Sequence, residues 1–158
     1  PPARSPAPPG ARPPRGGRGG THIPLTALFF RPRARARRHF VAGTPGSIVN
    51  IGASYAWTGG PGFAHSAAAK AGVMALTRCS AIEAVDYGVR INAVSPSIAR
   101  HKFLEKTSSA DLLDRLSEGE AFGRAAEPWE IAATIAFLAS DYSSYLTGEV
   151  ISVSSQRA

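Results

Sequence analysis

Ser54, Ser66 and Lys70 are the residues of this chain whose types and spacing suit chemistry on a small molecule. Two hydroxyls and an ammonium can hold a substrate oxygen and help move a proton. Ser66 and Lys70 are four residues apart in a stretch that reads as a helix, so they share one face, a turn apart. Ser54 closes the apolar run before that helix, at the strand end where open α/β sheets gather their chemistry. Convergence of three polar groups there is a recognisable site plan. Spacing alone does not name the reaction, because lysines often fall four residues from serines by chance.

Other chemistry fits less well. Gly52-Ala53-Ser54-Tyr55-Ala56 is similar to the G-x-S-x-G elbow of serine hydrolases. That elbow needs a helix directly after the serine, and Thr58-Gly59-Gly60-Pro61-Gly62 reads as an intervening loop. It also needs an Asp and a late His, and His101 is the only histidine after Ser66. His22, His39, His65 and His101 lack metal-ligand spacing, and Cys79 is the only cysteine. We therefore expect no metal site and no internal disulfide, and a reducing, cytoplasmic setting. His65 reads as a surface residue at a loop-to-helix junction. Trp57 and Trp129 read as packing residues, and Asp111, Asp114 and Glu118 as a solvated helix face.

The elements that must position these groups are legible from residue 46 onward. Ile48, Val49 and Ile51 form a short branched run bounded by Pro45-Gly46 and Gly52, as expected of a strand buried on both faces. A helix follows from about Phe63 to Tyr87. Ala64, Ala67, Ala68, Ala71, Gly72 and Ala75 give it small faces, suited to close packing on a sheet or on a copy of itself. Gly88 is placed to end it in a left-handed cap. Residues 89–94 read as the next strand, which makes a βαβ unit. Residues 101–118 suit one or two amphipathic helices lying over a site. Glu127-Pro128-Trp129-Glu130 starts a further helix, with proline and acids in the first turn and Ile131, Ile135, Phe137 and Leu138 on its buried side. Glu149 to Val153 reads as a last strand.

The formal net charge of +7 hides two unlike halves. Residues 1–82 hold eleven Lys or Arg and no acid, whereas residues 83–158 hold eleven acids and seven bases, about +11 against −4. Residues 1–20 contain seven prolines, five glycines and four arginines. Such a segment cannot bury enough surface to offset chain entropy. We expect residues 1–22 to be a disordered Pro/Arg/Gly-rich segment, 23–45 a basic helix or linker broken at Pro32, and 46–158 the folded unit. An Arg/Gly-rich arm can touch nucleic acid through phosphates and stacking. The simpler reading, a solvated tail, is preferred, so nucleic acid is not expected as a partner. The composition also matches GC-rich DNA read in a wrong frame or from a wrong start, a reading that covers residues 1 to about 22 and extends as far as 45. No run approaches the roughly 18 apolar residues of a membrane span, and no secretory signal is expected.

IVNIGAS, AAAKAGVMALTR, VRINAVSPS and AEPWEIAATIAFLASDYSSYLTGEVISV recur in the order and at the spacing of one family. From Gly46 to Val153 the chain resembles the C-terminal half of a short-chain dehydrogenase/reductase. Within that family, INAVSPSIARHKFLEKTSS and SYLTGEVISVSSQRA are similar to actinobacterial members acting on CoA thioesters in steroid ring breakdown. The resemblance implies an α/β fold, the C-terminal part of a Rossmann-like doubly wound parallel sheet. It implies NAD or NADP as cofactor, a hydroxy/keto substrate that includes CoA thioesters, and homo-oligomers. By position, Ser54 matches the family serine that holds the substrate oxygen. Lys70 matches the lysine that lowers the catalytic tyrosine's pKa and bonds the nicotinamide ribose. Pro96, Ser97, Ile98 and Ala99 fall at the nicotinamide contact, and His101 where a Thr often binds the carboxamide.

Three departures bear on activity. Ser66 stands where the family has its tyrosine, and an aliphatic hydroxyl is a far weaker acid than a phenol of pKa about 10. Tyr55 is adjacent to Ser54 and is expected to point away from the site. The family's Gly-rich pyrophosphate cradle has no counterpart in GARPPRGGRGG, which lacks the flanking strand and helix, and Pro24 occupies the place of an expected Asn. The chain is therefore expected to be a truncated oxidoreductase of impaired activity, with cofactor binding itself in question. Ser66→Tyr alone is expected not to restore turnover. The alternative is a non-catalytic remnant, or an oligomerisation partner of a full-length member.

Overall fold

The computed structural model describes residue 38 and residues 42–155. The expectations for the Pro/Arg/Gly-rich segment, for nearly all of the basic segment and for Pro24 lie outside the described residues. Three parallel strands form one sheet in the order β1-β2-β3: β1 is Gly46–Ile51, β2 is Val89–Pro96 and β3 is Val150–Val153. Gly46 pairs with Val89 and Ile51 with Val94. On the other side of β2, Ala93 pairs with Val150 and Pro96 with Val153.

The helices are α1 (Tyr55–Thr58), α2 (Ala64–Ala84), α3 (Lys102–Thr107), α4 (Ala110–Glu118) and α5 (Pro128–Ala139). Side-chain alternation along β2 sorts its residues between two layers. Val89 and Ile91 pack with Ala81 and Ala84 of α2 and with Ile48. Val94 packs on the opposite face with Ile131 and Leu138 of α5 and with Val49. The fold is thus an α/β/α layering around a parallel sheet, as the sequence patterns indicate. The small residues of α2 allow its close seat: Ala69, Ala81 and Ala84 are buried against the sheet.

The helix expected over 63–87 is α-helical to Ala84. It then tightens into a 3-10 turn, Val85–Tyr87, closed by Gly88 at φ 65°. Residues 101–118 form two helices, capped by His101 and Ser109, whose side chains accept the N–H groups of Leu104 and Leu112. α5 carries a capping box between Glu127 and Glu130.

Several expectations are corrected. β1 is not buried on both faces: its residues are mostly half-buried and Ile51 is 41% exposed, because β1 is an edge of the described sheet. Thr58 belongs to a helical turn that follows Ser54 directly, with only Gly59–Gly62 left as connecting loop. One turn is still far short of an elbow helix. Phe137 is exposed although Leu138 is buried, because adjacent helical positions point about a quarter-turn apart. Trp57 and Trp129 are 52% and 67% exposed, not packed inside. α1 is too short to cover the first, and the second sits on the outer side of the first turn of α5.

Candidate active site

Ser54 is fixed by backbone bonding beyond the end of β1. Gly52 N–H donates to Val94 O at 2.7 Å, and Ser54 N–H to Pro96 O at 2.9 Å. The chain therefore stays alongside β2 for three residues past the strand. A Cβ at position 52 would lie 3.0 Å from Met74 Cε and 3.4 Å from Val94 O, so glycine permits this approach. Ser54 then caps α1.

It lines a cavity of about 430 Å³, together with Trp57, Ser97, Glu120, Ser152 and Ser154. Trp57 Nε1 donates to Ser95 Oγ at 2.8 Å, which holds the indole over β2. The structure brings Ser54 and Ser97 to one cavity.

Lys70 and Ser66 lie on α2 and are not part of the lining of this cavity. Lys70 Nζ donates to Ile51 O at 2.9 Å, at the C-terminal end of β1. Burial pushes its ammonium below the ordinary 10.5. Ser66 is half-buried in the first turn of α2. Tyr55 is half-buried as well. Its ring centroid is 5.7 Å from that of Phe63, the residue that precedes α2. The phenol-bearing ring therefore lies over the N-terminal end of the helix that carries Ser66 and Lys70.

Pro96 ends β2, and the segment after it runs extended. Ser97 N–H donates to Val153 O at 3.1 Å, Ala126 N–H to Ile98 O at 2.9 Å, and Ala99 bridges Ala126. His101 is exposed, and its Nδ1 is occupied as the cap of α3. His65 is exposed, and no cluster of metal-ligating side chains occurs among the described residues. Asp111, Asp114 and Glu118 are exposed, with Asp111 paired to Arg115 and Asp114 to Arg100.

Sequence reasoning missed Trp57 and Glu120 as cavity residues. The first had a signal, since it follows Ser54 by three residues. The second had none in the run SEGEAFGR.

A family model described as enoyl-(acyl carrier protein) reductase matches residues 21–155, starting upstream of residue 46. The chain belongs to the short-chain dehydrogenase/reductase family. It is 70% identical over 134 residues to a Mycobacterium tuberculosis protein named (5R,7aS)-5-hydroxy-7a-methyl-1-oxo-2,3,5,6,7,7a-hexahydro-1H-indene-carboxyl-CoA reductase, covering 85% of this chain and 51% of that one. It is 42% identical over 143 residues to a probable 2,4-dienoyl-CoA reductase of Bacillus subtilis, covering 89% and 56%. A crystal structure of a short-chain dehydrogenase from Mycobacterium smegmatis superposes with a TM-score of 0.70 at 58% identity, covering 86% of this chain and 49% of that one. The chain spans about half the length of the relatives it matches.

Proposed function

We propose that this chain carries the substrate-positioning half of an NAD(P)-dependent oxidoreductase that interconverts a hydroxyl and a ketone on a CoA thioester of steroid-derived or similar alicyclic character. The observation that carries this reading is Ser54, its N–H bonded to Pro96 O, on the lining of a 430 Å³ cavity, with Lys70 anchored at the end of β1. The names of the M. tuberculosis and B. subtilis relatives, both CoA-thioester reductases, support the substrate class.

The residues present fit the nicotinamide end of the cofactor. Lys70 offers an ammonium for a ribose hydroxyl, and the extended segment Pro96–Ala99 offers backbone groups for a carboxamide. When bound, the cofactor supplies or accepts the hydride. Ser54 would donate to the substrate carbonyl oxygen and fix its orientation. Lys70 would hold positive charge beside the site and favour an ionised neighbour.

The weak member is Ser66. Loss of a positioned general acid typically costs about 10²–10⁴ in rate. We therefore infer impaired turnover by the 158-residue chain. Purified chain mixed with NADH or NADPH and an alicyclic ketone thioester tests this by cofactor absorbance. Turnover near the ordinary range of roughly 1–10³ s⁻¹ would refute the impairment. Failure to bind NAD⁺ and NADP⁺ in calorimetric titration would refute the oxidoreductase reading.

A second reading rests on Tyr55. Its ring lies against Phe63 at the start of α2; in this reading Tyr55 supplies the phenol that position 66 lacks, and turnover is retained.

A third reading takes the chain as an oligomerisation partner of a longer family member. It draws on the exposure of Ile82, Tyr142 and Tyr145, at 78%, 91% and 99%. Sedimentation velocity of the chain, with and without such a member, discriminates. No helix among the described residues is long and apolar enough to cross a membrane.

A further inference from the structure

Glu120 is the buried acid among the described residues, 5% exposed. It forms a wall between the cavity that holds Ser54 and a smaller one of about 150 Å³. Ser97 Oγ donates to its Oε2 at 2.9 Å, and Ser155 Oγ to the same oxygen at 3.3 Å. Oε1 has no partner among the described residues. Nor does any cation pair with this carboxylate there, since Arg100, Arg115 and Arg124 are taken by Asp114, Asp111 and Glu130. Two neutral hydroxyls orient the carboxylate without cancelling its charge. As a carboxylate it accepts hydrogen bonds and donates none.

We propose that Glu120 is a specificity-determining residue: Oε1 accepts a hydrogen-bond donor on the ligand, such as an amide N–H or a hydroxyl, and the negative charge keeps out a free carboxylate. The chamber then admits an alicyclic acid only in a neutral acyl form. This rests on reading the cavity beside Ser54 as the substrate chamber. The rest of the lining agrees, because Ser54, Ser97, Ser152, Ser154 and Thr58 bring hydroxyls and Glu120 the one full charge. A like charge brought beside a buried carboxylate is strongly disfavoured, whereas a neutral donor gains a charge-assisted bond.

Matched probes test the proposal on the purified chain near pH 7, with binding followed by ligand-observed NMR. Cyclohexanecarboxamide is expected to bind on the order of tenfold or more tightly than cyclohexanecarboxylate. Glu120→Gln keeps an acceptor for Ser97 and removes the charge, and should reduce the preference to about twofold or less. Glu118→Gln removes the same charge from an exposed position and should leave the preference intact. A third probe, cyclohexylmethylammonium, needs only the wild-type chain and should bind at least as tightly as the amide. Equal binding of amide and carboxylate, a preference that survives Glu120→Gln, an ammonium weaker than the carboxylate, or no binding of any probe would each overturn the proposal. The measurement uses neither cofactor nor turnover. A failed hydride-transfer assay therefore leaves it standing, and its own failure leaves that assay's result untouched.

Discussion

Lys70 Nζ donates to the carbonyl oxygen of Ile51 at 2.9 Å, tying the helix that carries Ser66 to the strand that leads to Ser54. The bond satisfies a carbonyl at the edge of the described sheet and fixes the ammonium beside the candidate site.

Burial lowers the pKa of this ammonium below 10.5. Between the lowered folded value and 10.5, the unfolded chain binds a proton that the folded chain does not. Stability attributable to Lys70 therefore rises with pH across that window and is least below it. Urea midpoints of the wild type and Lys70→Met, measured from neutral pH to above 10.5, should show the wild type gaining on the variant as pH climbs. A constant or shrinking difference would show that the ammonium is not desolvated. Turnover, where present, should be lost in the variant.

Tyr55 and Ser66 make opposed predictions about the proton donor. If the ring that packs on Phe63 supplies the phenol, Tyr55→Phe should lower turnover by about 10²–10⁴ while Ser66→Ala changes it little. If neither residue serves, the wild type stays near background and both variants match it. Cofactor-absorbance assays on the three proteins separate the cases. A loss confined to Ser66→Ala would contradict both readings.

The sheet, the βαβ unit and the place of Ser54 were legible because they rest on local signals. Branched apolar runs, a stripe of alanines and the glycines at 52 and 88 each act within a few residues. What was not legible depends on partners far away in sequence. Asn50 and Thr77 are buried polar residues that bond each other across 27 positions, at 3.0 Å. Asn92 is fully buried, with its amide donating to Leu146 O and accepting from Glu149 N–H. Neither residue type announces burial, since the bond that makes burial tolerable comes from another element. Glu120 was hidden for the same reason, its two serines lying 23 and 35 residues away. Ile51 and Trp57 failed in the other direction. Their types suggest burial, and what decides it is how much of the sheet and of α1 lies beside them.

Arg90 should be a principal latch between β2 and the end of α5. Its guanidinium donates to Leu138 O, Ser143 Oγ and Ser140 O at 3.1, 2.9 and 2.9 Å. Those carbonyls keep other donors, since Ser143 Oγ also reaches Leu138 O and Ser140 O. Arg90→Ala should therefore cost about 1.5–3 kcal/mol, the range of a hydrogen bond to a charged group. Arg90→Lys should recover little, because a single ammonium cannot reproduce the planar fork. Denaturant midpoints at constant slope measure both. Equal stability of Lys and Arg at this position would show that charge, and not geometry, is what counts.

Glu130 should carry an acid-dependent share of the stability of α5. Arg124 grips its carboxylate at two points, each 2.8 Å, and Glu127 N–H donates to the same group at 2.8 Å. The Arg124 bond and the backbone bond together lower its pKa from 4.5 to about 2. A carboxylate with a depressed folded pKa stabilises fully above its unfolded value, and that contribution fades as pH falls from 4.5 towards 2. NMR titration of the side-chain carboxyl carbon should give a midpoint near 2 in the wild type. In Arg124→Ala the midpoint should rise part of the way to 4.5, because the Glu127 N–H remains. Added salt should act in the same direction, as the pair lies at the surface. Glu130→Gln keeps the helix cap and loses the charge, so the stability difference between the wild type and this variant should shrink as pH falls from 4.5 towards 2. A midpoint near 4.5 in the wild type would mean that the bidentate pair does not persist in solution, and that the capping box alone holds the start of α5.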